Sequence, residues 1–431
     1  MSPEGPSLRR ELGVFGAMMM GLGSILGTGV FVAVGIAAGM AGPGILLAIP
    51  VAALLALCNA LSSAQLAANH PVSGGTYEYG YRYLHPALGF TAGWAFLLAK
   101  SASAATAVLG FAGYLLHALG VGRTWLVPVA VAAALSLTGV VLGGIRRSHT
   151  VNVTIVSVTI LALLVFVLGG LSPLREAGTQ HFLPFLPTGE EGGSGPLPSL
   201  LQATALMFVA YTGYGRIATL GEEVREPERT IPRAIVLTLL VSAALYVGVG
   251  VVAVGTVGPE FLARATAGEA APLEVVAETF SVPGAGPLVA LGAITAMLGV
   301  SLNLLLGLSR VLLAMGRRGD MPGLVARLDA SGTSPRWAVL AVGLLVAGLA
   351  LVGSVETTWS FSAFTVLLYY AVTNLSALQL TARERLFPRV FPWAGLGGCL
   401  FLAFWVDRTI WITGLLLLGA GLLWHGFRRR S

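Results

Sequence analysis

The chain reads as an all-α polytopic membrane protein of about twelve transmembrane helices. Three observations predict this. Of its 431 residues 56% are hydrophobic and only 10% are charged, where an ordinary soluble domain carries about 25% charged residues. Mean hydropathy is +0.84. Apolar runs near the roughly 20 residues that a spanning helix needs recur along the whole chain, and long alternating strands, which would point to a barrel, are missing.

In order, the runs lie near 12–39, 43–66, 88–117, 125–144, 150–170, 199–221, 232–257, 284–313, 336–354, 359–380, 390–406 and 409–427. The first is too long for a signal peptide and lacks a small-residue cleavage site, so it is read as a span. With the N-terminus inside, nineteen arginines, Arg146, Arg147, Arg317 and Arg318 among them, fall in inside segments, and only four (Arg123, Arg175, Arg264, Arg408) in outside loops. The positive-inside rule then places both termini in the cytoplasm. That distribution also accounts for the net charge of +6, so no nucleic-acid partner is expected. The loop 171–198, rich in Gly and Pro, is expected to be an ordered but irregular lid, and "GEAAPLEVVAETF" within 258–286 to form one short surface helix on Leu273, Val276 and Phe280. Neither loop is long enough for a separate domain, so residues 1–431 form one membrane domain. Cys58 and Cys399 sit inside apolar runs as small hydrophobes and imply no disulfide framework.

The first span poses a problem. "MMMGLGSILGTGVFVAVGIAAG" (18–39) carries Gly21, Gly23, Gly27 and Gly29, although each glycine costs a helix interior about 1 kcal/mol relative to alanine. They could simply let neighbouring helices approach. The sixth run argues for a break instead: "ALMFVAYTGYGRIATLGEEVREPERTIP" places Gly213 and Gly215 around Tyr214, beside Thr212. Two interrupted helices five spans apart have opposite orientations, as in inverted-repeat transporters, whose breaks meet at the bilayer midplane. Broken backbone at that depth is tolerated where it is buried in protein or lines a cavity. The amides of Gly27, Thr28 and Gly29, opening a half-helix, suit a carboxylate. The carbonyls near Ile25 and from Val209 to Thr212, closing half-helices, suit an ammonium. Together they match the backbone of a free α-amino acid.

"GLGSILGTGVF" and "AYTGYGRIATLGEEVREPERTIPRAI" resemble the helix 1 and helix 6 signatures of the amino acid/polyamine/organocation superfamily. "HPVSGGTYEYGYRYL" and "LSRVLLAMGRRGDMPG" are further matches in the expected order. The pattern is most similar to prokaryotic proton-coupled amino acid permeases. The resemblance implies a five-plus-five inverted repeat (12–170 and 199–380) with discontinuous helices 1 and 6, two extra C-terminal helices (390–427), and alternating access about a central site in a bacterial cytoplasmic membrane. It puts carboxylate contacts on Gly27, Thr28 and Gly29, amine contacts on the carbonyls of Ile25, Val209 and Thr212, and a gating aromatic at Tyr211, next to Gly213. Gly215 stands where exchangers of polyamines or arginine often carry an acid.

Lys100, the only lysine, lies in "GWAFLLAKSASAATAVLGF", about 18 Å into helix 3 at 1.5 Å per residue. A lysine there costs about 2.5 to 3.5 kcal/mol to insert. It is either a structural lysine on backbone carbonyls or Ser and Thr hydroxyls, or it faces the cavity, as alignment with the family's helix 3 implies. Relatives coupled to protons commonly carry a lysine in helix 5, and Thr159 stands there instead. Lys100 is thus the candidate coupling residue for a proton, with Ser301 and Asn303 of helix 8 as oxygen ligands if sodium is the ion. Arg216, below the helix 6 break, is expected either to pair with Glu222 or Glu223 or to serve an inner gate. No cofactor, metal site or catalytic residue is expected: the six histidines are scattered and no His-Glu-x-x-His pattern occurs. The competing readings are a sodium-coupled or exchange-type carrier of amino acids or organic amines, and an amino acid sensor that does not transport.

Overall fold

The computed structural model describes residues 12–70, 74–144, 149–187, 195–218, 224–329 and 335–430. It is an all-α bundle in which every expected apolar run carries a helix. The first run is split into α1 (Val14–Ile25) and α2 (Val34–Ala41), joined through a wide π turn, Gly29–Ala33. There follow α3 (Ile45–Asn69), the short α4 (Thr76–Tyr83), α5 (Pro86–Ala118), α6 (Leu126–Leu142), α7 (His149–Gly169) and α8 (Leu171–Ala177). The sixth run is split into α9 (Pro196–Tyr211) and α10 (Gly215–Ala218) around a tight turn at Thr212–Tyr214. The remainder comprises α11 (Pro227–Val257), α12 (Pro259–Glu269), α13 (Pro272–Ala277), α14 (Ala285–Arg317), α15 (Arg336–Ala350), α16 (Val355–Leu378), α17 (Val390–Ala403) and α18 (Arg408–Arg430). Among the described residues, 8 helical stretches are long and apolar enough to cross a membrane, and Val14–Ile25, Arg336–Ala350 and Val390–Ala403 are shorter apolar helices.

The long helix α5 packs along both α14 and α16 at the centre. Hydroxyl pairs cross their apolar seam: Ser103 with Ser362 at 2.6 Å and Thr106 with Thr358 at 2.8 Å join α5 to α16. Each satisfies a polar group that lipid or a dry core would leave unpaired. Around this centre α1 packs on α11, α7 and α14, while α9 packs on α3, α2 and α16. Both broken helices are thereby held inside the bundle. The entry ends of α1 and of the segment before α11 are also joined directly, since the Arg225 amide donates to the Leu12 carbonyl at 2.9 Å.

Two loop expectations need correction. The 258–286 loop holds two helices rather than one, because Ala270 takes a left-handed φ of 56° and Pro272 opens the next helix, where its missing N–H costs nothing. Leu273 and Val276 are fully buried and Phe280 nearly so, which puts that segment against the bundle rather than on its surface. The 171–198 loop begins with helix α8 instead of being irregular throughout; its residues 188–194 lie outside the described ones. Cys399 is buried as expected, but Cys58 is only half-buried.

Candidate functional site

Helix α1 stops where Leu26 turns extended (ψ 99°) after a last bond from its amide to the Leu22 carbonyl. The chain resumes helical form at Gly29, and the amides of Val30 and Phe31 both return to the Gly27 carbonyl at 3.1 Å. Among the described residues, the amides of Gly27 and Thr28 have no backbone acceptor. They are the orphan donors that any helix start leaves. In the sixth run, the Thr212 amide and hydroxyl both turn back to the Val209 carbonyl, the hydroxyl at 2.8 Å.

The two breaks abut. A Cβ on Gly213 would run into the Ser24 carbonyl, and one on Gly29 would come within 2.6 Å of the Ala210 Cβ and 3.0 Å of the Tyr246 hydroxyl. A Cβ on Gly27 would come within 2.7 Å of Val300 on α14. The first-span glycines therefore divide. Gly21 and Gly23 lie inside α1, pressed against Ile217 and Asn152, as close-packing glycines do; Gly27 and Gly29 belong to the break.

The carbonyls expected to be open are instead occupied by hydroxyls. Tyr246 of α11 donates towards the Ile25 carbonyl at 2.9 Å and the Ala210 carbonyl at 3.2 Å. Tyr370 of α16 donates to the Thr212 carbonyl at 3.3 Å. Tyr114 of α5 donates to the Phe31 carbonyl at 2.7 Å. Sequence reasoning passed over all three. The usable signal was that a tyrosine deep inside an aliphatic run such as "VSAALYVGVG" must find a partner for its hydroxyl.

Lys100 is 8% exposed, and its Nζ donates to the Thr212 hydroxyl at 2.8 Å. A charged group on helix 3 is thus tied to the helix 6 break. Tyr211 is fully buried, its ring 5.1 Å from that of Tyr246 and its hydroxyl 3.4 Å from the Ile49 carbonyl on α3. Gly215 has room: an added Cβ would meet only the Tyr370 hydroxyl, at 3.6 Å. Arg216 follows it, half-buried, on α10; its expected partners Glu222 and Glu223 lie outside the described residues.

The remaining candidates are dispersed. The hydroxyl of Thr159 on α7 is used within its own helix, on the Ile155 carbonyl at 2.8 Å. Ser301 is buried with its hydroxyl unpartnered among the described residues, as is that of Thr28. Asn303 is half-buried. Two residues along a helix is about 200° around it, so Ser301 and Asn303 leave α14 on nearly opposite sides. Asn303 shares the face of Val300, which meets Gly27. Phe364 of α16 packs away from these groups, on Gly414 of α18 and on Phe404, at 6.2 Å between rings.

Comparison with known proteins agrees with this architecture. The family described as "Amino acid permease" matches residues 16–413. An uncharacterized transporter of Mycobacterium tuberculosis is 41% identical over 98% of this chain and 92% of its own length. A branched-chain amino acid permease of Bacillus subtilis is 29% identical over 94% of this chain and 90% of its own. The human cationic amino acid transporter 4 is 30% identical over 87% of this chain and 60% of its own. With a family match over nearly its whole length and two broken helices meeting at its centre, the chain belongs to the amino acid permease family, within the amino acid/polyamine/organocation superfamily, and its function is transport rather than catalysis.

Proposed function

We propose that the protein is a secondary active permease that takes up α-amino acids with neutral side chains by alternating access, driven by protons. The observation that carries this reading is the abutment of the two helix breaks, with Lys100 bonded to Thr212 beside them. The free amides of Gly27 and Thr28, with that of Gly29, receive the carboxylate at a positive helix end. The carbonyls of Ile25, Val209 and Thr212 receive the ammonium, which displaces the tyrosine hydroxyls from the carbonyls of Ile25 and Thr212. An ammonium on Lys100 at the same break repels a cationic side chain, and Gly215 supplies no acid to offset it. The branched-chain permease is therefore the better guide to substrate than the cationic transporter.

In this reading residues 1–431 form one transporter domain. Residues 12–170 and 199–380 are its inverted halves, 390–427 two added helices, and the arginine distribution sets both termini in the cytoplasm of a bacterial plasma membrane. Lys100 carries the coupling proton: charged, it ties α5 to the helix 6 break; neutral, it releases that tie. One observation favours sodium instead. The hydroxyls of Thr28 and Ser301 are both buried without partners, on the helix 1 break and on the helix packed against it.

Proteoliposomes decide between these. Counterflow of a labelled neutral amino acid, faster accumulation with an acidic exterior, collapse on adding a protonophore and indifference to replacing sodium by choline are the expected results. A sodium requirement would move the coupling site to Thr28 and Ser301, and absence of any counterflow would identify a sensor.

A further inference from the structure

At the opposite end of the bundle from the chain termini, the fold gathers residues that lie far apart in sequence. His117 is in the last turn of α5, Glu274 in α13 and Glu278 just beyond it. One ligand atom from each lies within 4.8 Å of the others. The His117 Nε2 is 3.2 Å from a Glu278 oxygen. Glu274 is only 2% exposed, and its Oε2 has no hydrogen-bond partner among the described residues. Burial, with the charge of Glu278 added, holds the Glu274 carboxyl well above the usual carboxylate range, at about 8. Arg123, a neighbouring cation, is spent on the Ala267 carbonyl. A buried carboxyl oxygen with no partner among the described residues, facing an imidazole and a second carboxyl, presents three converging ligand atoms to a cation that can displace the carboxyl proton.

We propose that His117, Glu274 and Glu278 form a binding site for a borderline divalent cation of the Zn²⁺ kind. Imidazole with carboxylates selects Zn²⁺ and its transition-metal neighbours, whereas Ca²⁺ and Mg²⁺ take oxygen ligands. Zinc bonds of about 2.0 to 2.2 Å require the ligands to draw in, which the exposed Glu278 side chain can do. Glu269, 4.0 Å from the other ring nitrogen of His117, lies where a small approach would let it orient the ring as outer carboxylates do for metal-bound histidines. Water completes the coordination.

The site is also coupled to the first helix break. Tyr114, one turn before His117, donates to the Phe31 carbonyl at 2.7 Å and accepts from the Leu273 amide, next to Glu274, at 3.1 Å. A bound ion therefore pins α13 to α5, and through Tyr114 to the turn that follows the break. On the transport reading above, it slows uptake by holding this end closed.

The test is equilibrium dialysis of the purified, metal-stripped chain in detergent against Zn²⁺, with thermal melts of the same samples. One Zn²⁺ per chain and a raised melting temperature are expected. His117→Ala and Glu278→Gln should each weaken binding by about tenfold or more, while His181→Ala leaves it unchanged. Glu278→Gln alters an exposed side chain, and its metal-free melt matching wild type shows the fold intact. The site is overturned if wild type shows no saturable binding, or if Glu278→Gln binds like wild type. Neither result depends on transport. Zn²⁺ slowing uptake by wild type but not by Glu278→Gln supports the coupling, and equal slowing of both overturns it.

Discussion

The hydroxyl of Tyr246 does what a break in a buried helix most needs, reaching carbonyls from both broken helices, Ile25 at 2.9 Å and Ala210 at 3.2 Å. Tyr246→Phe keeps the ring and leaves both carbonyls without that donor, so it should cost about 1 to 3 kcal/mol. A melting temperature equal to wild type in detergent would remove Tyr246 from this role. Lys100 gives the opposite expectation. A buried charge is expensive to hold, so Lys100→Met should melt at or above the wild-type temperature while uptake loses its pH dependence. An unchanged pH profile would make Lys100 structural. Because Lys100 meets Thr212 directly, Lys100→Met and Thr212→Val should be non-additive in a double-mutant cycle, as contacting residues are. Lys100 was legible in the sequence because one charge in an apolar run stands out. Tyr246 was not: a tyrosine in a helical run shows nothing of where its hydroxyl points until a second, distant helix is placed beside it.

At the scale of elements, the glycines of the first span carry two jobs that a linear pattern cannot separate. A Cβ added at Gly21 would meet the flexible end of Ile217, whereas one at Gly29 would meet the backbone Cα of Ala210 at 2.9 Å as well as its Cβ. A side chain at Gly21 can push Ile217 aside; one at Gly29 forces the broken helices apart. Gly29→Leu should therefore abolish uptake with membrane insertion intact, and Gly21→Ala should retain most of it. Comparing uptake per inserted molecule checks both, and normal transport by Gly29→Leu would move the site elsewhere. The breaks themselves could be read from sequence because glycines, Gly27 and Gly29 in one case and Gly213 and Gly215 in the other, interrupt otherwise apolar runs. The hydroxyls on their carbonyls could not, because they come from α11 and α16. In the 258–286 loop the expected helix on Leu273 and Val276 is α13, while the helix before it, α12, was hidden: the left-handed turn at Ala270 that separates the two has no glycine at that position to announce it.

At the scale of the molecule, two segments that resemble family signatures separately are parts of one structure. "HPVSGGTYEYGYRYL" supplies Tyr77 and Tyr81, and "LSRVLLAMGRRGDMPG" supplies Asp320, which accepts from Tyr77 at 2.6 Å and from Tyr81 at 2.7 Å. Arg318 sits 4.1 Å over the Tyr81 ring and pairs with Glu78. The last helix closes the group: His425 approaches Asp320 at 3.1 Å, and the Trp424 indole donates to the Asp320 carbonyl at 2.9 Å. Burial and the bond to Asp320 hold the Tyr81 phenol above its ordinary pKa, so it remains a donor across the working range. This cluster joins α4, the end of α14 and α18, and so ties the two proposed halves to an added C-terminal helix. Asp320 is 4% exposed. Removing its carboxylate strands two phenols and an imidazole in a buried place, a loss of about 3 to 5 kcal/mol where a buried pair is broken. Asp320→Ala should thus lower the melting temperature far more than Tyr77→Phe, which deletes one bond worth about 1.5 to 3 kcal/mol to a charged acceptor. Equal melts for Asp320→Ala and wild type would show that α18 is held by its apolar packing on α5 and α16 and not by this cluster.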